Sequence, residues 1–247
     1  MPRYKITLEY MGTGLVGWQK QDNGLSVQEL LETAISQFSK EAPITYASGR
    51  TDAGVHAFGQ VCHFDLIKNH DPYTVTRAIN HFLRPHQVAV LNCEIVDEAF
   101  HARFSATSRH YLYRINNRSS LIALDRDRVW WVKHPLDVKV MKEASKHLIG
   151  RHDFTSFRAS ACQAKSPIKT LDQLDIVSFD DEIHFTLSAP SFLHHMVRNI
   201  VGTLTLVGLG KWSPMDLRIA LESKQRSAAG VTAPAHGLYF VKVKYTE

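Results

Sequence analysis

Gly49-Arg50-Thr51-Asp52-Ala53-Gly54-Val55-His56 runs directly into a strand-like segment, Gly59 to Phe64. An aspartate set between two glycines, two residues after an arginine, suits a carboxylate held exposed at the edge of a sheet beside a guanidinium. Glycine permits a tight turn without a Cβ penalty. Arg50 can pair with Asp52 and keep it ionised. Taken alone, the stretch fits a plain turn aspartate that accepts backbone N–H groups or caps a helix better than it fits a catalytic one. The flanking sequence changes that balance.

Upstream, Arg3 to Tyr10 alternates, with Ile6, Leu8 and Tyr10 on one side, and predicts a strand. Ser26-Val-Gln-Glu29 has the form of a capping box opening a helix whose apolar stripe is Val27, Leu31, Ala34 and Phe38. Downstream, the pattern predicts a strand over 60–66, a helix over 72–82, and strands over 87–96 and near 109–116. The second half repeats the mixture. A helix over 137–149 carries Val140, Ala144 and Leu148 and stops at Gly150. A hairpin joins 171–179 to 182–188 through Asp180-Asp181, with Ile183, Phe185 and Leu187 on one face. A long apolar helix from Phe192 to Val207 carries Arg198. Ser213-Pro214 opens a short helix, and Leu238 to Tyr245 closes as a strand. The order β-α-β-α-β-β, then α-β-β-α-α-β, predicts an α+β fold. Its sheet is mixed and largely antiparallel, built from two similar α/β halves, 1–108 and 109–247, packed as one catalytic unit.

Composition narrows the classes. Of 247 residues, 44% are hydrophobic and 21% charged, ordinary for a globular protein. The start, Met-Pro-Arg-Tyr-Lys, enters a strand at once, so no signal peptide is expected. No apolar run approaches a membrane span. Three scattered cysteines (Cys62, Cys93, Cys162) predict reduced thiols in a cytoplasmic protein. The net charge of +5 is compatible with a polyanionic partner. Between His101 and Arg128 the arginines 103, 109, 114, 118, 126 and 128 face two aspartates, with Tyr111 and Tyr113 interleaved. Arginine with exposed aromatics is what phosphate contact and base stacking require. A solvated strand with core tyrosines fits that segment equally well.

Several chemistries are disfavoured. No G-x-G-x-x-G or G-x-x-x-x-G-K-[ST] loop is present, which argues against dinucleotide or nucleoside triphosphate use. There is no C-x-x-C or H-E-x-x-H. The neighbours His194-His195 and Cys62-His63 would point in different directions on a helix or strand, so no metal site is expected. No G-x-S-x-G elbow appears, and no cysteine has an evident partner base. One carboxylate, several arginines and an aromatic strand remain. On the apolar stretch from Met196 to Leu206, the lone Arg198 calls for a partner, and a carboxylate is the natural one.

Seven blocks carry a family likeness. They are Tyr10-Met-Gly-Thr13 with Gly17-Trp-Gln19, Gly49 to His56, Gly59-Gln-Val-Cys-His-Phe64, and Phe100-His-Ala-Arg-Phe-Ser-Ala106 with Arg109-His-Tyr-Leu-Tyr113. Gly150-Arg-His-Asp-Phe154, Phe192 to Gly202 and Ala233-Pro-Ala-His-Gly-Leu238 complete the set. In these, along nearly its whole length, the chain resembles the TruA-type tRNA pseudouridine synthases. The resemblance implies the pseudouridine synthase fold, a homodimer binding tRNA across both subunits, and no metal or organic cofactor. The implied reaction converts uridine to pseudouridine at positions 38, 39 and 40 of the tRNA anticodon stem-loop. Asp52 is then the essential carboxylate, attacking sugar or base or abstracting a ribose proton. Tyr111 stacks on the flipped uracil and helps remove the C5 proton. Arg198 pairs with Asp52, and Arg50 fills the space left by the flipped nucleotide or holds its phosphate. Arg103 and Arg109 join Tyr111 and Arg50 in substrate binding. Met11, in place of an acidic residue, and Arg84-Pro85-His86, in place of a Leu-Pro-x-Asp turn, depart from the family pattern. Two other readings stand beside this one: a related synthase acting at other RNA positions, and a non-catalytic RNA-binding or remodelling module.

Overall fold

β1 (Arg3–Tyr10) buries Tyr4, Ile6 and Leu8 completely, as its alternation requires. The computed structural model describes residues 1–246. After β1 come α1 (Val27–Ser39), β2 (Tyr46–Ala47), β3 (His56–Asp65), α2 (Pro72–Leu83), β4 (Val88–Val96) and β5 (Ala106–Asn116). The second half holds β6 (Trp130–Trp131), α3 (Val138–Ser145), β7 (Gly150–Asp153), β8 (Ile168–Leu171), β9 (Gln173–Phe179), β10 (Glu182–Ala189), α4 (Met196–Gly208), α5 (Pro214–Ser223) and β11 (Leu238–Tyr245). The fold is α+β with largely antiparallel strand pairing. Among the described residues no helix is long and apolar enough to cross a membrane.

The chain divides into two compact units, Met1–Thr107 together with the segment from Tyr239 onward, and Ser108–Leu238. In the first, β1 lies between β3 and β4, antiparallel to both, with Ile6 opposite Cys62 and Cys93. β2 pairs with β3 on the strand's other side, near its far end. β11 runs parallel to the start of β3, Tyr239 opposite His56 and Phe240 opposite Ala57. A Cβ on Gly59 would lie 2.5 Å from the Val241 carbonyl oxygen, so this close approach of strands requires glycine. α1 begins at Ser26, whose hydroxyl accepts from the Glu29 amide at 3.2 Å. Its buried stripe is Val27, Leu30, Leu31, Ala34 and Ile35. Phe38 is only half-buried, its ring against His70.

In the second unit β10 lies between β5 and β9, antiparallel to both, and β6 adds to β5 in parallel. Ile183, Phe185 and Leu187 of β10 are buried together with Tyr113 and Ile115 of β5. The hairpin turns at Asp180, which takes the left-handed conformation at φ 47°. α5 opens with a full capping box between Ser213 and Asp216.

Several elements differ from expectation. α3 ends at Ser145 and tightens into a 3₁₀ turn over Lys146–Leu148, and Met141, not Val140, joins Ala144 and Leu148 in the core. α4 starts at Met196 rather than Phe192, because His195 sits at φ 63° and the His194 carbonyl accepts from the Ala159 amide. Helical propagation toward Phe192 is thereby blocked. The β7–β8 pair was not expected, since two four-residue strands, Gly150–Asp153 and Ile168–Leu171, separated by a long connection, are too short to carry a periodicity.

Candidate active site

The Asp52 segment is a turn. The Asp52 carbonyl accepts from the Val55 amide at 3.2 Å, and Gly54 takes φ 78° at the position where this turn type needs a positive φ. Asp52 is half-buried. The chain after β1 packs against the turn. The Trp18 amide donates to the Thr51 carbonyl at 3.0 Å, and the Gly54 amide donates to the Leu15 carbonyl at 3.3 Å. Gly12 donates to His56 Nδ1 at 3.0 Å, which fixes that nitrogen as an acceptor. The approach is possible only with glycines. A Cβ on Gly17, at φ 105°, would lie 2.5 Å from the Thr51 carbonyl oxygen, and one on Gly12 would lie 2.1 Å from that of Val55.

From the core side the same segment is held by a buried polar network. Tyr10 and Thr51 share a hydrogen bond of 2.8 Å between their hydroxyls. Gln60, fully buried, donates to the Gly49 carbonyl at 2.8 Å and to the Tyr10 oxygen at 3.5 Å. Its own carbonyl accepts from the Ser48 hydroxyl at 2.7 Å and the Val61 amide at 3.1 Å. Burial pushes the Tyr10 phenol up to about 12, partly offset by its bonds to Thr51 and Gln60, so it stays a neutral donor.

Arg50 lies exposed and makes no ion pair among the described residues. The pairing of its guanidinium with Asp52 that the sequence suggests is therefore not made. Arg103 is also exposed, its guanidinium 5.6 Å from the centre of the Phe104 ring.

In the second unit, Tyr111 shares a face of β5 with Tyr113 and Ile115, but only those two are buried. The half-buried Tyr111 ring meets Phe192 edge-on at 5.0 Å. Tyr113 donates to the Pro234 carbonyl at 2.7 Å. Burial drives its phenol well above the ordinary tyrosine range, against the opposing pull of Arg198. Arg198 Nε donates to the Ala233 carbonyl at 2.8 Å, and the Ala233 amide returns a bond to the Arg198 carbonyl at 3.1 Å. The segment 229–234 thus straps the helix beside this arginine. Arg226 fastens it through the Gly230 carbonyl, Asn199 and Thr232. A Cβ on Gly202 would sit 1.8 Å from the Val231 carbonyl oxygen. His236 is lowered by burial and by Arg198, with Asp127 acting in the opposite sense. Arg109 donates to the Pro190 carbonyl at 2.6 Å.

The basic segment is narrower than its sequence suggests. Arg114 pairs with Glu182 at 2.7 Å and with Asp125 at 3.8 Å, and Arg118 lies 3.6 Å from Asp181. Among the histidines, the rings of His194 and His195 approach to 4.1 Å between centroids. The left-handed backbone of His195 removes the divergence expected of helical neighbours. Cys62 and His63 are both buried and, as successive residues of β3, face opposite sides of the sheet; His63 Nδ1 accepts from the Ala102 amide at 3.1 Å.

The family model for tRNA pseudouridine synthase matches residues 6–105 and 144–246. The chain belongs to the tRNA pseudouridine synthase family. That family comprises isomerases that convert uridine to pseudouridine in tRNA. The chain is 54% identical over 246 residues to the tRNA pseudouridine synthase A of Paramagnetospirillum magneticum, covering 100% of this chain and 96% of the relative. It is 49% identical over 283 aligned residues to the tRNA pseudouridine synthase A of Orientia tsutsugamushi, covering 99% and 100%. Within the family's blocks, reading the sequence missed Tyr10, Gly12, Gly17, Thr51 and Gln60 as parts of the site. All five lie in quoted motifs, but their mutual contacts bridge up to fifty positions and carry no periodic signal.

Proposed function

We propose that this protein isomerises uridines 38, 39 and 40 in the anticodon stem-loop of tRNA, acting as a cytoplasmic homodimer with tRNA bound across both subunits. In this reading Asp52 is the essential carboxylate and Arg198 keeps it ionised and oriented. Tyr111 stacks on the flipped uracil and assists loss of the C5 proton, while Arg50 occupies the vacated space or holds a phosphate. Arg103 and Arg109 contribute to RNA binding. Both halves of the chain, 1–108 and 109–247, supply residues to one catalytic unit, and the chemistry calls for no metal or organic cofactor. These assignments rest on the family's motif positions.

The observation that carries the reading is the Asp52 turn. A half-buried carboxylate stands on a loop tied down by backbone bonds and by a buried polar network, in a chain whose family isomerises tRNA uridines. Pure RNA binding requires charge and stacking and would not need a carboxylate so held. The test is chemical mapping of pseudouridine in an unmodified tRNA transcript carrying uridines at 38, 39 and 40. New signals at those positions support the proposal; signals confined to other positions would replace it with a synthase of different site preference.

A further inference from the structure

We propose that Tyr10, Thr51 and Gln60 form a positioning clamp for the Asp52 carboxylate, so that their hydroxyl and amide groups set the turnover rate without touching RNA. The inference deepens the reading of Asp52 as the essential carboxylate and rests on it.

Three observations converge. The residue immediately before Asp52, and the one three positions before it, are both gripped from the core: Thr51 by the Tyr10 hydroxyl at 2.8 Å, and the Gly49 carbonyl by the Gln60 amide at 2.8 Å. The grip is itself pre-organised. Gln60 is fully buried, and its amide is oriented unambiguously, because its oxygen accepts from Ser48 and the Val61 amide while its nitrogen donates to Gly49 and Tyr10. With its hydrogen-bonding capacity filled in that sense, a flipped amide would oppose donor to donor. Finally, backbone bonds hold the turn as well, from the Trp18 amide to the Thr51 carbonyl and from the Gly54 amide to the Leu15 carbonyl, with Gly17 in close contact. A turn held at Gly49, Thr51 and Gly54 together has little freedom to swing about its ends.

A buried tyrosine hydroxyl, glutamine and threonine at one spot are an uncommon way to stabilise a loop. Apolar packing would stabilise it without the risk of unmet polar groups. Directional bonds instead fix a backbone position to a few tenths of an ångström, which is the tolerance that a reacting carboxylate demands.

The test compares Tyr10→Phe, Thr51→Val, Thr51→Ser and Asp52→Asn, measuring single-turnover tritium release from C5-labelled uridine in tRNA, together with tRNA affinity. Tyr10→Phe and Thr51→Val should each slow the single-turnover rate about 10- to 100-fold with tRNA affinity changed less than about twofold, because only the carboxylate's placement is lost. Thr51→Ser, which keeps the hydroxyl, should restore most of the rate. A loss due merely to weaker folding would instead scale with the folded fraction, and serine would not rescue it selectively. Full rates in both Tyr10→Phe and Thr51→Val, with Asp52→Asn inactive, would overturn the clamp and leave the role of Asp52 standing. A fully active Asp52→Asn would overturn the role itself. Should Tyr10→Phe melt below the assay temperature, the Thr51→Val and Thr51→Ser pair, close in size to the native side chain, decides between the outcomes.

Discussion

Replacing the buried Gly17 with alanine perturbs the Asp52 turn through its backbone. Gly17 has φ 105°, where an L-residue is strained by about 1–3 kcal/mol. The added Cβ would lie 2.5 Å from the Thr51 carbonyl oxygen and 3.0 Å from the Asp52 carbonyl carbon. Restoring an ordinary contact requires a shift of several tenths of an ångström. The atoms that must move are backbone, and the Trp18 amide holds the same Thr51 carbonyl at 3.0 Å. The clash therefore cannot be relieved by rotating a side chain. Strain and lost hydrogen bonding together should destabilise the fold by about 2–4 kcal/mol. The displacement should slow turnover by about 10- to 100-fold beyond any loss of folded protein. Urea unfolding followed by circular dichroism gives the first quantity, and tritium release per folded molecule gives the second. A Gly17→Ala protein with wild-type turnover would refute the argument that this glycine positions the catalytic turn, whatever its stability.

Further outcomes follow from the same geometry. Gly202→Ala drives a Cβ against the Val231 carbonyl and should unseat the strap whose Ala233 carbonyl holds Arg198, cutting turnover about 10-fold or more. A melting curve and the same release assay check it; unchanged turnover would mean that Arg198 does not depend on the strap. His63 is lowered to about 4, first by burial and then by His101 and Arg3. Because its folded pKa lies below the unfolded one, the unfolded chain binds the extra proton. Stability is full well above pH 6.5 and should fall by roughly 2 kcal/mol as the pH drops to 5. Urea midpoints at pH 7.5 and 5 should show that loss, and His63→Gln should flatten it. Arg103→Gln should weaken tRNA binding and lower the slope of log affinity against log salt by about one, whereas Arg114→Gln should leave the slope unchanged, since Arg114 already faces Glu182. Equal effects from the two would move the RNA footprint elsewhere.

Much of the fold was legible because burial is one-sided. β1 and β11 have the predicted limits, and the Asp180 hairpin has the predicted face, since alternation reports directly which side meets the core. α4 was overextended because Phe192 and Leu193 are apolar enough to pass for a helical turn. A single left-handed residue, His195, decides the start, and nothing in composition announces it. The parallel pairing of β11 with β3 joins residues some 180 positions apart, a contact that no local pattern encodes. At the site, Asp52 stood out by its glycines. The arginine cluster was read as one surface, yet Arg114 and Arg118 answer carboxylates of the β9–β10 hairpin that lie more than sixty positions away. The network beneath the turn stayed hidden for the same reason, since Tyr10 and Gln60 carry meaning only once β1 and β3 are side by side.

The most direct test of the account is tritium release from C5-labelled uridine in an unmodified anticodon stem-loop tRNA, wild type beside Asp52→Asn. The account predicts release by the wild-type protein and none by Asp52→Asn, with tRNA affinity retained in both. Release by Asp52→Asn at the wild-type rate would contradict the central role of that carboxylate. Retained tRNA binding with no release by either protein would contradict the isomerisation itself and favour an RNA-binding module.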